Sequence, residues 1–259
     1  MANEAHARVA QVTPDEVFKQ IVYRKPEDDF ERLYPGRTAD FSSQLAIQYA
    51  ILQRFQVDQV SDVVYSNACI LWKGLNTLMA AVEILRKGYL VEPLMLARHA
   101  LECCCTAFDV YRNPGQLKKI YDERYNSARA VQTARSVLPK IRKLYDHLSE
   151  SMVHVGIMST FPQWVYEGGI VKAVLVGGGF DETNPGMFEI PLSGLQLVID
   201  AFAAIEENIF YDYATEHHYW EKVGTSLRYR PSKQIIARAL ASTTRLQAAT
   251  ETPGRSSDK

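Results

Sequence analysis

Val64-Tyr-Ser-Asn-Ala68-Cys-Ile-Leu71-Trp-Lys-Gly-Leu75-Asn-Thr-Leu78-Met-Ala-Ala-Val82-Glu-Ile-Leu85 repeats apolar residues at steps of four and three over about six turns, the pattern of a helix with one buried face. Asp62, Asn67, Lys73, Asn76 and Glu83 interrupt the apolar run, so it reads as a core helix and not as a membrane span. Gly88 supplies a natural stop. Glu92-Pro93 opens a second helix, nearly all apolar from Leu94 to Val110 and closed by Asn113-Pro114-Gly115. A helix apolar on most of its sides belongs in an interior. Two such segments in succession predict a mainly α fold, a multi-helix bundle.

Working outward, Thr13-Pro14-Asp15-Glu16 carries the hydroxyl, proline and carboxylates of a helix start. Residues 24–40, with Pro26, Pro35 and Gly36, read as a connecting loop before a helix over about 41–56. On the other side, Leu117, Ile120 and Tyr121 suggest a helix over 115–137, and Ile141, Leu144, Tyr145, Leu148 and Met152 another over 139–155, with Pro139 at the junction. The β-branched run Ile170 to Val176 leads into Gly177-Gly178-Gly179 and is followed by Met187 to Ile190. That predicts a small β-hairpin insertion near residues 170–190. Pro191 then starts a long helix buried along Leu195, Val198, Ile199, Phe202, Ile205 and Ile209. The expected organisation is 1–59, N-terminal helices and a loop; 60–222, the helical core with its hairpin; and 223–259, a basic helix over about 231–246 with a polar tail.

At 259 residues, 47% apolar and 23% charged, the chain has the composition of a folded globular protein. A net charge of −1 gives no general reason to invoke nucleic acid or an anionic membrane. The first twenty residues, with Glu4, Asp15, Glu16 and Lys19, lack the apolar core of a secretory signal, and the expected location is cytoplasmic. Cys69, Cys103, Cys104 and Cys105 offer no Cys-x-x-Cys pair, and they read as buried thiols acting as small apolar groups. No metal or cofactor is expected. From Val223 onward, seven Lys or Arg face two acidic residues, Glu251 and Asp258. This basic segment reads as a plain solvated tail, or else as a contact for a phosphate backbone or an acidic protein face.

Two constellations carry chemistry. Arg98 and Glu102 lie one turn apart amid Leu94, Met95, Leu101 and Cys105. They read either as an ion pair that fixes the register of neighbouring helices or as an anion-binding Arg oriented by a carboxylate that also serves as base. In the segment 142–154, His147, Glu150, Ser151 and His154 share one helical face. That stripe suits acid–base chemistry, or else is a solvated or interhelical polar face. Metal binding there lacks the His-Glu-x-x-His pattern, and a Ser nucleophile lacks the Gly-x-Ser-x-Gly elbow. The glycines at 177–179 lack the following helix that a dinucleotide loop requires, and His217-His218-Tyr219-Trp220 reads as a terminal packing or C-capping cluster.

Leu96-Ala97-Arg98-His99-Ala100-Leu101-Glu102 and Leu148-Ser149-Glu150-Ser151-Met152-Val153-His154 resemble short motifs in a group of bacterial helical proteins of unknown function, over roughly residues 60–210. That group is similar to the HEPN superfamily, in which many members are RNA-cleaving toxins or antiviral defence proteins that dimerise and carry Arg-x(4–6)-His. Arg142 and His147 match that spacing here. The resemblance implies a metal-independent ribonuclease in which the Arg stabilises phosphate charge and the His moves a proton. On one helix Arg142 and His147 lie about 140° apart, so a homodimer enters the expectation. The leading expectation is therefore action on RNA or a nucleotide phosphate through Arg98, Glu102, Arg142, His147 and His154. The alternatives are a non-catalytic interaction module and a small-molecule binder with a pocket between helices.

Overall fold

The computed structural model describes residues 26–54, 61–149, 164–167, 170–173, 188–214 and 219–231. The helix start expected at Thr13, and the C-terminal helix and tail beyond Pro231, lie outside these residues. Within them the fold is mainly α, a helical bundle carrying two small β-hairpins.

Helix α1 (Pro26–Leu33) is followed by α2 (Arg37–Gln53). The loop expected over 24–40 is thus overturned. Pro26 stands at the first helical position, where its missing amide costs nothing, and Glu27, Asp28 and Asp29 complement the positive end of the helix. Phe30 and Tyr34 are buried, which gives α1 its hold on the core.

The two helices that decide the fold are α3 (Asp62–Arg86) and α4 (Glu92–Arg112). The Ser61 Oγ accepts the Val64 amide at 3.4 Å and starts α3. Gly88, at φ 83, turns the chain out of α3 in the left-handed region that side chains avoid. Leu71, Leu75, Leu78 and Leu85 of α3 meet Leu94, Ala97, Leu101 and Phe108 of α4 in one core, each 0–1% exposed. Each large apolar side chain buried this way contributes about 1.5–3 kcal/mol. By length and composition α3 would also reach across a membrane, but its Leu face is the centre of this bundle.

Three short helices follow: α5 (Gln116–Tyr121), α6 (Ser127–Ala134) and α7 (Ile141–Leu148). The single helix expected over 115–137 is broken because Glu123 adopts φ 55 and Asn126 Oδ1 accepts the Ala128 amide at 3.0 Å, restarting the chain as α6. Asp109, fully buried on α4, ties these pieces down. It accepts from Asn113 Nδ2 at 2.9 Å, Tyr125 OH at 2.9 Å and Thr133 Oγ1 at 2.8 Å. Satisfying a buried carboxylate with several donors is the condition for keeping it there.

The expected hairpin is present, with a different partner for its β-branched strand. β1 (Trp164–Glu167) pairs antiparallel with β2 (Ile170–Ala173), Trp164 facing Ala173 and Glu167 facing Ile170. Glu189 and Ile190, expected in a strand, instead begin α8 (Glu189–Ile209), with Pro191 in its first turn. α8 packs on α4 and α3. A Cβ added at Gly74 would lie 2.8 Å from Phe202 Cε2 and 3.0 Å from Cys103 Cβ, so only glycine lets α3 approach this closely.

A second hairpin, β3 (Trp220–Val223) with β4 (Ser226–Tyr229), closes the described chain. Glu207 of α8 accepts the Tyr219 and Trp220 amides at 2.7 and 3.2 Å, and Trp220 Nε1 donates to the Ala204 carbonyl at 2.7 Å. Tyr219 and Trp220 therefore do pack, as expected, while His217 and His218 lie outside the described residues. Cys103, Cys104 and Cys105 are buried thiols; Cys69 is exposed and departs from that reading.

Candidate functional site

Helical spacing puts Arg98 and Glu102 on one face of α4, and the structure joins them, Nη2 to Oε1, at 3.0 Å. α7 crosses this face and completes a ring of hydrogen bonds. Tyr145 OH accepts from Arg98 Nη2 at 2.8 Å and donates to Glu102 Oε1 at 2.9 Å. Ser149 Oγ accepts from Arg98 Nε at 2.9 Å and donates to the Tyr145 carbonyl at 2.8 Å. The Arg98 and Glu102 side chains remain 24% and 17% exposed, so the ring sits under the surface with an opening to solvent.

Ser149 and Tyr145 engage the Nε and Nη2 positions of Arg98. Nη1 makes no hydrogen bond among the described residues. A guanidinium oriented by three anchors with one nitrogen left over is a preorganised donor for an anion. The phenol of Tyr145 lies between a cation and a carboxylate. Its hydroxyl is bonded to both, the geometry of a proton relay between a carboxylate and a bound hydroxyl.

His99, 45% exposed, borders the ring with Nδ1 at 3.9 Å from Glu102 Oε2 and Nε2 at 3.9 Å from Cys103 Sγ. Burial pushes the Cys103 thiol up to about 11, more than nearby Lys73 pulls it down. Protonated at neutral pH, this thiol is a poor nucleophile. Among the described residues no group of three His, Cys, Asp or Glu is placed to hold a metal ion.

Of the five residues singled out from the sequence, Arg98 and Glu102 come together. Arg142 reaches the rim of the same site, paired through Nε with Asp146 at 2.8 Å and lying 5.9 Å from the centre of the Tyr145 ring. His147 is exposed and stands two residues beyond Tyr145, about 200° around α7. The structure does not bring it to Arg98, Glu102 or Arg142. His154, with Glu150 and Ser151, lies outside the described residues. Tyr145, Ser149 and His99 were not singled out. Arg142, Tyr145 and Ser149 are spaced by three and four, the signal of one helical face.

Comparison with known protein families, characterised proteins and solved structures returns no match to this chain.

Proposed function

We propose that this chain recognises a phosphate group of RNA or of a nucleotide at the Arg98 site. The observation that carries the reading is the fixed guanidinium whose Nη1 makes no hydrogen bond among the described residues while its other nitrogens hold Tyr145, Ser149 and Glu102. In this reading Arg98 neutralises the phosphate. Tyr145 passes its own proton to Glu102 as it takes that of the attacking 2′-hydroxyl, the P–O5′ bond breaks as the 2′-oxygen bonds to phosphorus, and the same relay run backwards protonates the leaving 5′-oxygen. Arg98 is already half-compensated by Glu102, which favours modest affinity and reversible capture.

The test is RNA binding and cleavage in metal-free, low-salt buffer by wild type, Arg98→Gln, Tyr145→Phe and His147→Ala, each checked for folding by circular dichroism. Binding lost in Arg98→Gln and kept in His147→Ala supports the site. Cleavage lost in Tyr145→Phe with binding retained assigns the proton role. Equal binding by wild type and a folded Arg98→Gln overturns the reading.

A second reading has its own observation. The Arg98 bonds all run from α4 to α7 or along α4, which is what a clamp fixing two helices in a non-catalytic interaction module requires. It predicts that Arg98→Gln loosens α7 and leaves anion binding absent in every variant.

A further inference from the structure

Resting on that reading, we infer that the short helices α5, α6 and α7 form a second contact surface, a track along which a single RNA strand reaches the Arg98 site. Residues 111–149 hold nine Lys or Arg and three Asp or Glu, a net charge of +6 in a chain whose total is −1. The remainder of the chain is therefore acidic, and these helices concentrate the positive field. Lys118 and Lys119 on α5, Arg129 on α6 with Arg135 at its end, and Lys140 and Lys143 at α7 are all exposed. Among the described residues none of these six is in an ion pair. Uncompensated like charge repels itself, and a polyanion relieves the repulsion while shedding its own counterions.

The arrangement fits a strand better than a free nucleotide or a protein. Asp109 holds Asn113, Tyr125 and Thr133, so the chain from the end of α4 through α6 is pinned to α4 and its cations keep a fixed order. Along α4 the rise from Arg98 to Arg112 is about 21 Å, a length that about six stacked nucleotides at about 3.4 Å each span. At the near end Lys140 lies about 7.5 Å along α7 from Tyr145. Tyr121 is 69% exposed, and its hydroxyl shares a hydrogen bond of 3.2 Å with Ser66 Oγ of α3, which holds the ring out in solvent. Lys118 stands one turn before it. A fixed, exposed ring beside cations is a stacking platform for a base of any sequence. Tyr111, 41% exposed at the end of α4, offers another. Between residues 111 and 149 these two tyrosines are the only large apolar side chains exposed, so the face lacks the aliphatic anchors of a protein interface.

The experiment measures fluorescence anisotropy of labelled UpU and of a labelled twelve-uridine strand, both 2′-O-methylated so that neither is cut. It uses the full chain in metal-free buffer over about 50–200 mM salt. Wild type is expected to bind the long strand at least about tenfold more tightly than UpU. The logarithm of its affinity should fall against the logarithm of salt with a slope of about −3 or steeper, since each phosphate neutralised on a single strand contributes about −0.7. Lys118→Gln with Lys119→Gln should make that slope shallower by about 1.4 and weaken the long strand about tenfold, with UpU unchanged. Arg129→Gln with Arg135→Gln should act alike, and it keeps the test decisive if the first pair folds poorly. Arg228→Gln, an exposed cation on β4, should leave the slope as it is. A long strand bound no more tightly than UpU, or a slope unmoved by both double variants, overturns the track and leaves the Arg98 site standing. Long-strand binding that depends on the double variants and is equal in wild type and folded Arg98→Gln keeps the surface and removes the Arg98 reading. Binding of neither probe removes both. Poly-aspartate of twelve residues displacing the long strand as well as unlabelled strand does overturns RNA as the occupant and assigns an acidic protein.

Discussion

Glu206 is fully buried on α8 and, among the described residues, neither of its carboxyl oxygens has a hydrogen-bond partner. Desolvation holds its carboxyl well above the ordinary 4.5. In the unfolded chain Glu206 ionises in the ordinary carboxylate range, whereas in the folded chain it keeps its proton to higher pH. The folded state thus binds more protons between the two values. Its contribution to stability is fully present below the unfolded value and is lost as pH rises toward the folded one. The loss is about 1.4 kcal/mol for each pH unit over which only the unfolded chain is ionised. Gln has nearly the same shape and does not titrate. Glu206→Gln should therefore match wild type near pH 4 and, with the folded carboxyl keeping its proton, exceed it by about 2 kcal/mol at pH 6. For a protein of this size that is a rise in Tm of roughly 4–8 °C. Urea unfolding of both proteins at pH 4, 5, 6 and 7 measures the gap. Parallel stability curves across that range would refute the argument, because they would mean that Glu206 titrates alike in the folded and unfolded chain.

Three other outcomes follow from the packing and the ring. Tyr145→Phe removes the hydroxyl shared by Arg98 and Glu102 and should cost about 1–2 kcal/mol in urea unfolding, less than a deeply buried charged network because both partners touch solvent. Asp109→Asn weakens three hydrogen bonds to a buried carboxylate at once and should cost about 1.5–3 kcal/mol, read as a lower thermal midpoint. Gly74→Ala forces a Cβ against Phe202 and Cys103 and should cost about 1–3 kcal/mol; Phe202→Leu in the same chain should recover part of it.

The parts of this fold legible in the sequence are those whose signal is local. The four-and-three spacing from Val64 to Leu85 and the apolar run from Leu94 to Val110 identified α3 and α4, and the i, i+4 placement of Arg98 and Glu102 identified half of the ring. The other half was hidden, because which face of α7 meets α4 is decided by tertiary packing. The stripe through His147 and Ser151 looked more chemical than the one through Arg142, Tyr145 and Ser149, yet the latter meets α4. At the hairpin, the β-branched run Ile170 to Val176 marks the strand observed as Ile170–Ala173, but its partner lies before it. Gly168-Gly169, the two residues between Glu167 and Ile170, form a tight-turn signal outweighed by the longer glycine run at 177–179. At α1, Pro26 has the local signature of a breaker and acts as a starter, because the first helical position needs no amide hydrogen bond.

The hairpin of β3 and β4 has a mechanical consequence. A pull on the chain beyond Tyr229 reaches the bundle through paired strands that open one rung at a time, from Trp220–Tyr229 toward Val223–Ser226. Load passes next to the two amides on Glu207 and to the Trp220 side chain wedged on α8. The hairpin therefore behaves as a zipper in series with an anchor. Tension from anything attached on that side is spent peeling β4 before the apolar centre of α3, α4 and α8 feels it.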